Sequence, residues 1–195
     1  MIDIDVFEIT DPVSPDDVND LLHLVSDQRR EEALRHKHLF GQFASLKSYV
    51  MLRKALESQG LSHPFLFDKN EHGKPFLRDH PEFHFNISHC KRGVAVAVAD
   101  TPIGIDIESF RNPSERLLRH TMNNDELRVI SESDDPTRTF TEYWTKKEAV
   151  FKLHGTGILR ERLHELLNDD HVKVVTYTNP EKRYAYSVAT KKEGD

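Results

Sequence analysis

Two acids one residue apart, Asp106 and Glu108, close the apolar run Ile103-Gly104-Ile105-Asp106-Ile107-Glu108. Alternate side chains of an extended segment leave the same face, so both carboxylates project together while the isoleucines fill the other side. Neighbouring carboxylates repel, and a divalent cation relieves that repulsion. Hard oxygen donors in small number suit Mg²⁺, which binds through one or two carboxylates plus substrate phosphates. Alone, the pair fits the exposed polar face of an edge strand equally well. Further along, Trp144, Glu148 and Lys152 fall at i, i+4 and i+8 and share one stripe if the segment is helical. Glu148 with Lys152 is also the favourable order for an ordinary helix salt bridge. Upstream, Asn86-Ile87-Ser88-His89 stands just before Lys91 and Arg92, a hydroxyl and an imidazole suited to holding a phosphate. Gly73-Lys74-Pro75 presents an ammonium at a turn, where a solvated lysine is the commoner case. Cys90 is the sole cysteine and adjoins His89, so the two point to opposite faces and form no Cys-His pair. Of twelve histidines only His36 and His38 cluster, which gives no metal-ligand spacing.

These groups need elements to position them. Ile2, Ile4 and Val6 alternate with acids as a half-buried strand does. Ser14-Pro15-Asp16-Asp17 opens a helix through Val25, and a longer helix runs through Leu39, Phe43, Leu46, Val50 and Leu56 towards Gly60. Asn70–Pro75 is turn chemistry. Phe83, Phe85 and Ile87, then Val94, Val96 and Val98, then Ile103, Ile105 and Ile107 alternate as strands. The last two, joined at Asp100-Thr101-Pro102, predict an antiparallel hairpin at the sheet centre. Asn123 with Glu126 caps a short helix, and Asp135-Pro136 opens one that ends at Gly155-Thr156-Gly157, a glycine pair without the lysine of a phosphate-binding loop. Val172, Val174, Tyr184, Tyr186 and Val188 close the chain as a hairpin around Asn179-Pro180. Mixed elements without strict alternation place the fold in the α+β class.

The chain has 195 residues and net charge −6, which argues against a nucleic-acid partner. Residues 1–27 hold eight acids and no Lys or Arg, whereas residues 28–54 hold seven bases and two acids, a local +5 that suits either a solvated helix face or an anion site. One cysteine and no apolar run near ~18 residues fit a soluble cytoplasmic protein without disulfides or a membrane span.

Gly73-Lys74-Pro75-Phe76-Leu77, Phe85-Asn86-Ile87-Ser88-His89, Ile103–Glu108 and Trp144-Thr145-Lys146-Lys147-Glu148-Ala149-Val150-Phe151-Lys152, in this order, resemble the 4′-phosphopantetheinyl transferase superfamily. Length and the upstream motifs resemble its surfactin-synthetase-activating (Sfp-type) branch. The resemblance implies two pseudo-twofold-related halves, each a small antiparallel sheet packed on helices. Residues 1–100 would contact coenzyme A phosphates, 101–195 would carry the Mg-binding acids and catalytic helix, and the active site would lie between them. It further implies Mg²⁺, with Mn²⁺ as a substitute, on Asp106, Glu108 and Glu148. Coenzyme A as co-substrate would meet Lys74, Pro75, Ser88, His89, Lys147 and Lys152, and the catalytic residues would be Glu148, Lys152 and His89. The implied activity moves the phosphopantetheine arm to a serine of an apo acyl or peptidyl carrier protein, as a holo-acyl-carrier-protein synthase of fatty-acid biosynthesis does, in a monomer. Position alone suggests Ser114–Met122 for carrier docking, with Leu117, Leu118 and Met122 as apolar contacts. Two other readings compete. An Mg-dependent nuclease or phosphohydrolase is disfavoured by the acidity and by the lack of a basic, aromatic groove. A non-catalytic coenzyme A or carrier binder has no use for the intact set Asp106, Glu108, Glu148 and Lys152.

Overall fold

The computed structural model describes residues 1–155 and 163–192. Strand β1 (Ile2–Glu8) leads into helices α1 (Pro15–Leu22), α2 (Asp27–Leu34) and α3 (Leu39–Ser58). A short hairpin, β2 (Phe67–Lys69) and β3 (Pro75–Leu77), precedes a longer one, β4 (His84–Cys90) and β5 (Gly93–Ala99). The same order then recurs. Strand β6 (Ile103–Ser109) leads into α4 (Glu115–Thr121), α5 (Asn124–Glu132), α6 (Pro136–His154), a 3₁₀ turn at Leu166–Asn168, and the hairpin β7 (Val172–Asn179) and β8 (Tyr184–Lys191). The three-stranded sheets are ordered β1-β5-β4 and β6-β8-β7, every pair antiparallel. In both, the last strand of the half lies between the first and the one that precedes it. This is the expected α+β fold of two pseudo-twofold-related halves. Thr156 and Gly157, the end of the glycine pair predicted to stop α6, lie outside the described residues.

One expected pairing is overturned. Consecutive strands β5 and β6 do not form a hairpin; they belong to different sheets. Both edges of β5 are already taken, with Val98 opposite Asp3 on one side and Phe85 on the other. Strand β6 pairs instead with β8, Ile105 opposite Val188. Asp100-Thr101-Pro102 is therefore a crossing between sheets.

The alternation of Val and Ala along β5 shows why the halves pack so closely. Val94, Val96 and Val98 join Phe43, Leu46 and Val50 of α3 in the first core. Ala95, Ala97 and Ala99 point the other way, onto Ile103, Ile105 and Ile107 of β6, together with Tyr184 and Val188. Small side chains facing large ones let two sheets interdigitate without voids. On the far face of β6, Gly104 permits α6 to lie directly on the strand: a Cβ there would stand 2.0 Å from the Ala149 carbonyl oxygen and 2.5 Å from Leu153 N. Local signals set the ends of α6. The Asp135 carboxylate accepts the Arg138 N–H at 3.0 Å, and Gly155 closes the helix at φ 59°.

At the rear of the molecule the halves are tied by Glu8. Its Oε1 accepts the Tyr184 hydroxyl at 2.6 Å and Asn179 Nδ2 at 3.2 Å, and Oε2 meets the Lys182 ammonium. Lys182 first, then Tyr184, holds the Glu8 carboxyl below the usual range. A carboxyl depressed in the folded state stabilises it above the unfolded pKa of about 4.3, and the contribution is lost as pH falls through the folded value. Glu8→Gln should therefore lower the urea midpoint at pH 7 and match wild type in acid, where Glu8 is itself neutral. A gap between the two proteins that persists undiminished into acid would contradict this role.

Candidate active site

Strands β4 and β6 meet along the seam between the halves, and two side chains of β4 bind β6 across it. Asn86 Oδ1 accepts the Ile105 N–H at 2.9 Å, and Ser88 Oγ donates to Asp106 Oδ1 at 2.8 Å. Alternation along β4 places Asn86 and Ser88 on this face and sends Phe85 towards the first core. From the other side α6 delivers Lys152, whose Nζ donates to the same Asp106 Oδ1 at 2.7 Å and to the Ile105 carbonyl at 3.2 Å. Three motifs distant in sequence thus converge on one carboxylate that is only 4% exposed. Glu148 lies one turn before Lys152 on α6.

The electrostatics of the seam are strained in one direction. Asp106 Oδ2 is buried and has no hydrogen-bond partner among the described residues. Beside it, Glu108 has its pKa pushed up, first by burial and then by the Asp106 charge. The Trp144 indole N–H, also buried and without a hydrogen-bond partner, lies close enough to offset this slightly. An orphan carboxylate oxygen next to a carboxyl that resists ionisation is a donor set that fits a divalent cation. Among the described residues no group of three or more His, Cys, Asp or Glu stands close enough together to hold a metal ion. His89, at the exposed edge of β4, stands edge-on to Phe40 at 5.9 Å. Its pKa is lowered by desolvation and then by Lys152.

Other expected site residues are held elsewhere. Lys74 Nζ donates to the carbonyls of Lys152 (2.7 Å), Leu153 (3.2 Å) and Ile103 (3.3 Å), so its ammonium sits on the C-terminal carbonyls of α6. Lys147 is fully buried and pairs with Glu126 at 2.7 Å. Pro75 instead lines a cavity of about 680 Å³ in the first half, with Arg29, Tyr49, Phe67, Lys69 and Phe85. The basic segment 28–54 is partly consumed internally. Arg29 bonds Ser45 and Glu32, Arg30 bonds the Leu22 carbonyl and Asp27, and Arg53 bonds the Leu24 carbonyl. Met122, expected as a carrier contact, is 1% exposed and packs with Ile130 and Phe140, because α4 ends there and turns inward. Sequence reasoning treated Glu126 as a helix cap only; a glutamate that also faces a buried lysine from another helix leaves no local signature.

The sequence profile of the 4′-phosphopantetheinyl transferase superfamily matches residues 102–193. The chain is 30% identical over 151 residues to the 4′-phosphopantetheinyl transferase Sfp of Bacillus subtilis, covering 75% of this chain and 67% of that protein. It is 32% identical over 145 residues to the 4′-phosphopantetheinyl transferase psf-1 of Bacillus pumilus, covering 72% and 62%. Identity to an L-aminoadipate-semialdehyde dehydrogenase-phosphopantetheinyl transferase of Saccharomyces cerevisiae is 30% over 103 residues, 47% of this chain and 38% of the other. The chain belongs to the 4′-phosphopantetheinyl transferase superfamily, in its Sfp-type branch. No described helix is long and apolar enough to cross a membrane.

Proposed function

We propose that the chain transfers the 4′-phosphopantetheine arm of coenzyme A to a serine of an apo acyl or peptidyl carrier protein and releases 3′,5′-ADP. The observation that carries this reading is the meeting of Ser88, Asp106 and Lys152 at the seam, with Glu108 beside them. The halves 1–100 and 101–195 act as the two jaws of the site; one chain supplies all these groups, which favours a monomer, and the single free cysteine suits the cytoplasm.

The carrier serine Oγ attacks the pyrophosphate phosphorus that bears the pantetheine. The new P–O bond forms as the bond to the bridging oxygen breaks, and the electron pair leaves with 3′,5′-ADP. Glu148 takes the serine proton. Lys152, a quarter exposed and already at the seam, swings from Asp106 towards the phosphate oxygens and offsets the charge growing on the leaving group. Ser88 and His89 orient a phosphate from β4. Asp106 and Glu108, joined by Glu148 from α6, would hold Mg²⁺, which would supply charge neutralisation at the pyrophosphate. Lys74 and Lys147 serve the site through the helix that carries it. For the carrier, the exposed face of α4 offers Arg116, Arg119 and His120 beside a shallow hollow that Glu115 also lines; Glu115 pairs with Arg119, so Arg116 carries most of the attraction for an acidic partner.

Incubation with coenzyme A, Mg²⁺ and separate apo carriers of fatty-acid, polyketide and peptide type, followed by intact mass measurement, tests the reading. Each accepted carrier gains one phosphopantetheinyl group, and acceptance of the fatty-acid carrier establishes the holo-acyl-carrier-protein synthase activity. If every carrier keeps its apo mass, the reading fails.

A further inference from the structure

Lys147 precedes Glu148 in sequence, yet its side chain leaves α6 on a different side and reaches no surface. Its ammonium has three donors and three partners: Glu126 Oε2 at 2.7 Å, the Thr121 carbonyl at 2.9 Å and the Leu163 carbonyl at 2.7 Å. No donor remains for a phosphate, and a side chain that is 0% exposed has no route to one. The partners come from separate segments. Thr121 ends α4, and Glu126 belongs to the first turn of α5. Leu163 lies beyond α6.

Glu126 is itself shared. Its carboxylate accepts the Asn123 N–H at 2.8 Å while its own N–H donates to Asn123 Oδ1 at 2.9 Å, and Asn123 Nδ2 reaches the His164 carbonyl at 3.3 Å. The junction between α4 and α5 is therefore fastened to the middle of α6 by one buried ion pair and its carbonyls. A charge pair of this kind fixes geometry more than it stabilises, since matched apolar groups often replace it without loss of fold.

We infer that Lys147 and Glu126 form a positioning unit that sets α4 against α6, so that the pair governs capture of the carrier protein and leaves capture of coenzyme A alone. This rests on the transferase reading above and on α4 as the carrier-facing helix. A displaced α4 presents Arg116 and Arg119 to the carrier at the wrong distance from Glu148, whereas the seam of Ser88, Asp106 and Lys152 contains neither Lys147 nor Glu126.

The test compares wild type, Glu126→Gln and the paired replacement Lys147→Met with Glu126→Leu, the isosteric single variant guarding against misfolding of the pair. KM is measured separately for an apo carrier and for coenzyme A, coenzyme A binding by calorimetry, and amide exchange by mass spectrometry. The expected result is a carrier KM raised about tenfold with coenzyme A KM and Kd within about twofold of wild type, the size of a modest positional coupling. Amides of α4 and α5 should lose protection while those of β4, β5 and β6 keep theirs. Weakened coenzyme A binding with an unchanged carrier KM overturns the inference, as does equal loss or no change in both. Exchange decides the matter without turnover: if wild type modifies no carrier, the transferase reading falls, and unchanged α4 protection in both variants overturns the positioning role on its own.

Discussion

Asp106→Asn is expected to lose about 10²–10³-fold in kcat for phosphopantetheine transfer while folding as wild type does. The buried carboxylate gathers the Ser88 hydroxyl and the Lys152 ammonium on one oxygen and leaves the other free. An amide at this position keeps an oxygen that can accept both donors, so the β4–β6 seam stays closed. What it removes is the negative charge that a cation and Lys152 both answer. Lys152 is partly exposed and can solvate its ammonium when the charge is gone. Stability should fall by no more than about 1–2 kcal/mol, because no cavity opens and the buried amide NH2 replaces a charged oxygen that was equally unpaired. Single-turnover transfer to an apo carrier, read alongside thermal unfolding, checks both halves of the statement. Activity within tenfold of wild type would mean that the charge of Asp106 takes no part in the reaction.

The second large effect is on stability and comes from a residue with no side chain. Gly104→Ala should cost about 3 kcal/mol or more, since the added methyl meets the α6 backbone at Ala149 and Leu153 and cannot be accommodated by turning a rotamer. For a chain of 195 residues that corresponds to a fall in Tm of about 6–12 °C. Transfer should fall as well, because the helix that must shift carries Glu148 and Lys152. Calorimetric unfolding of the variant decides it: a Tm within two or three degrees of wild type, about 1 kcal/mol or less, would show that α6 can lift off β6 cheaply.

What the sequence disclosed was whatever local periodicity and end signals encode. The acids of β6 on one face, the opening of α6 at Asp135-Pro136 and the closing hairpin around Asn179-Pro180 all depend on neighbours within a few residues. The partners of β5 do not. Its first neighbour is β1, almost the whole first half away, and with Val on one face and Ala on the other nothing in the strand tells which edge is free. The same holds for the lysines. Lys74, Lys147 and Lys152 are alike as residues, but only the last keeps its ammonium at the seam; the carbonyls that occupy the others are supplied by tertiary packing. The basic character of residues 28–54 also misleads, because Arg29, Arg30 and Arg53 turn inward to bind their own helices and loops.

The repeated strand order carries a consequence for the chemistry of each half. The pseudo-twofold that relates β6 to β1 also relates β4 to β7, but where β4 packs along β6, β7 reaches β1 at one end, Asn179 to Glu8. On β1, Asp5 stands at the fourth position as Asp106 does on β6, and Lys47 of α3, governed first by burial and then by Lys54, feels the Asp5 charge as well. The position of Glu108 is filled by Phe7, over whose ring Lys47 lies at 3.5 Å. Glu8 holds this end of β7, and Ile4, Val175 and Tyr177 are exposed. The duplicated frame thus carries two acids on β6 and, at the same two positions of β1, an acid and an aromatic ring. Two halves alike in outline thus differ in the chemistry that their first strands offer.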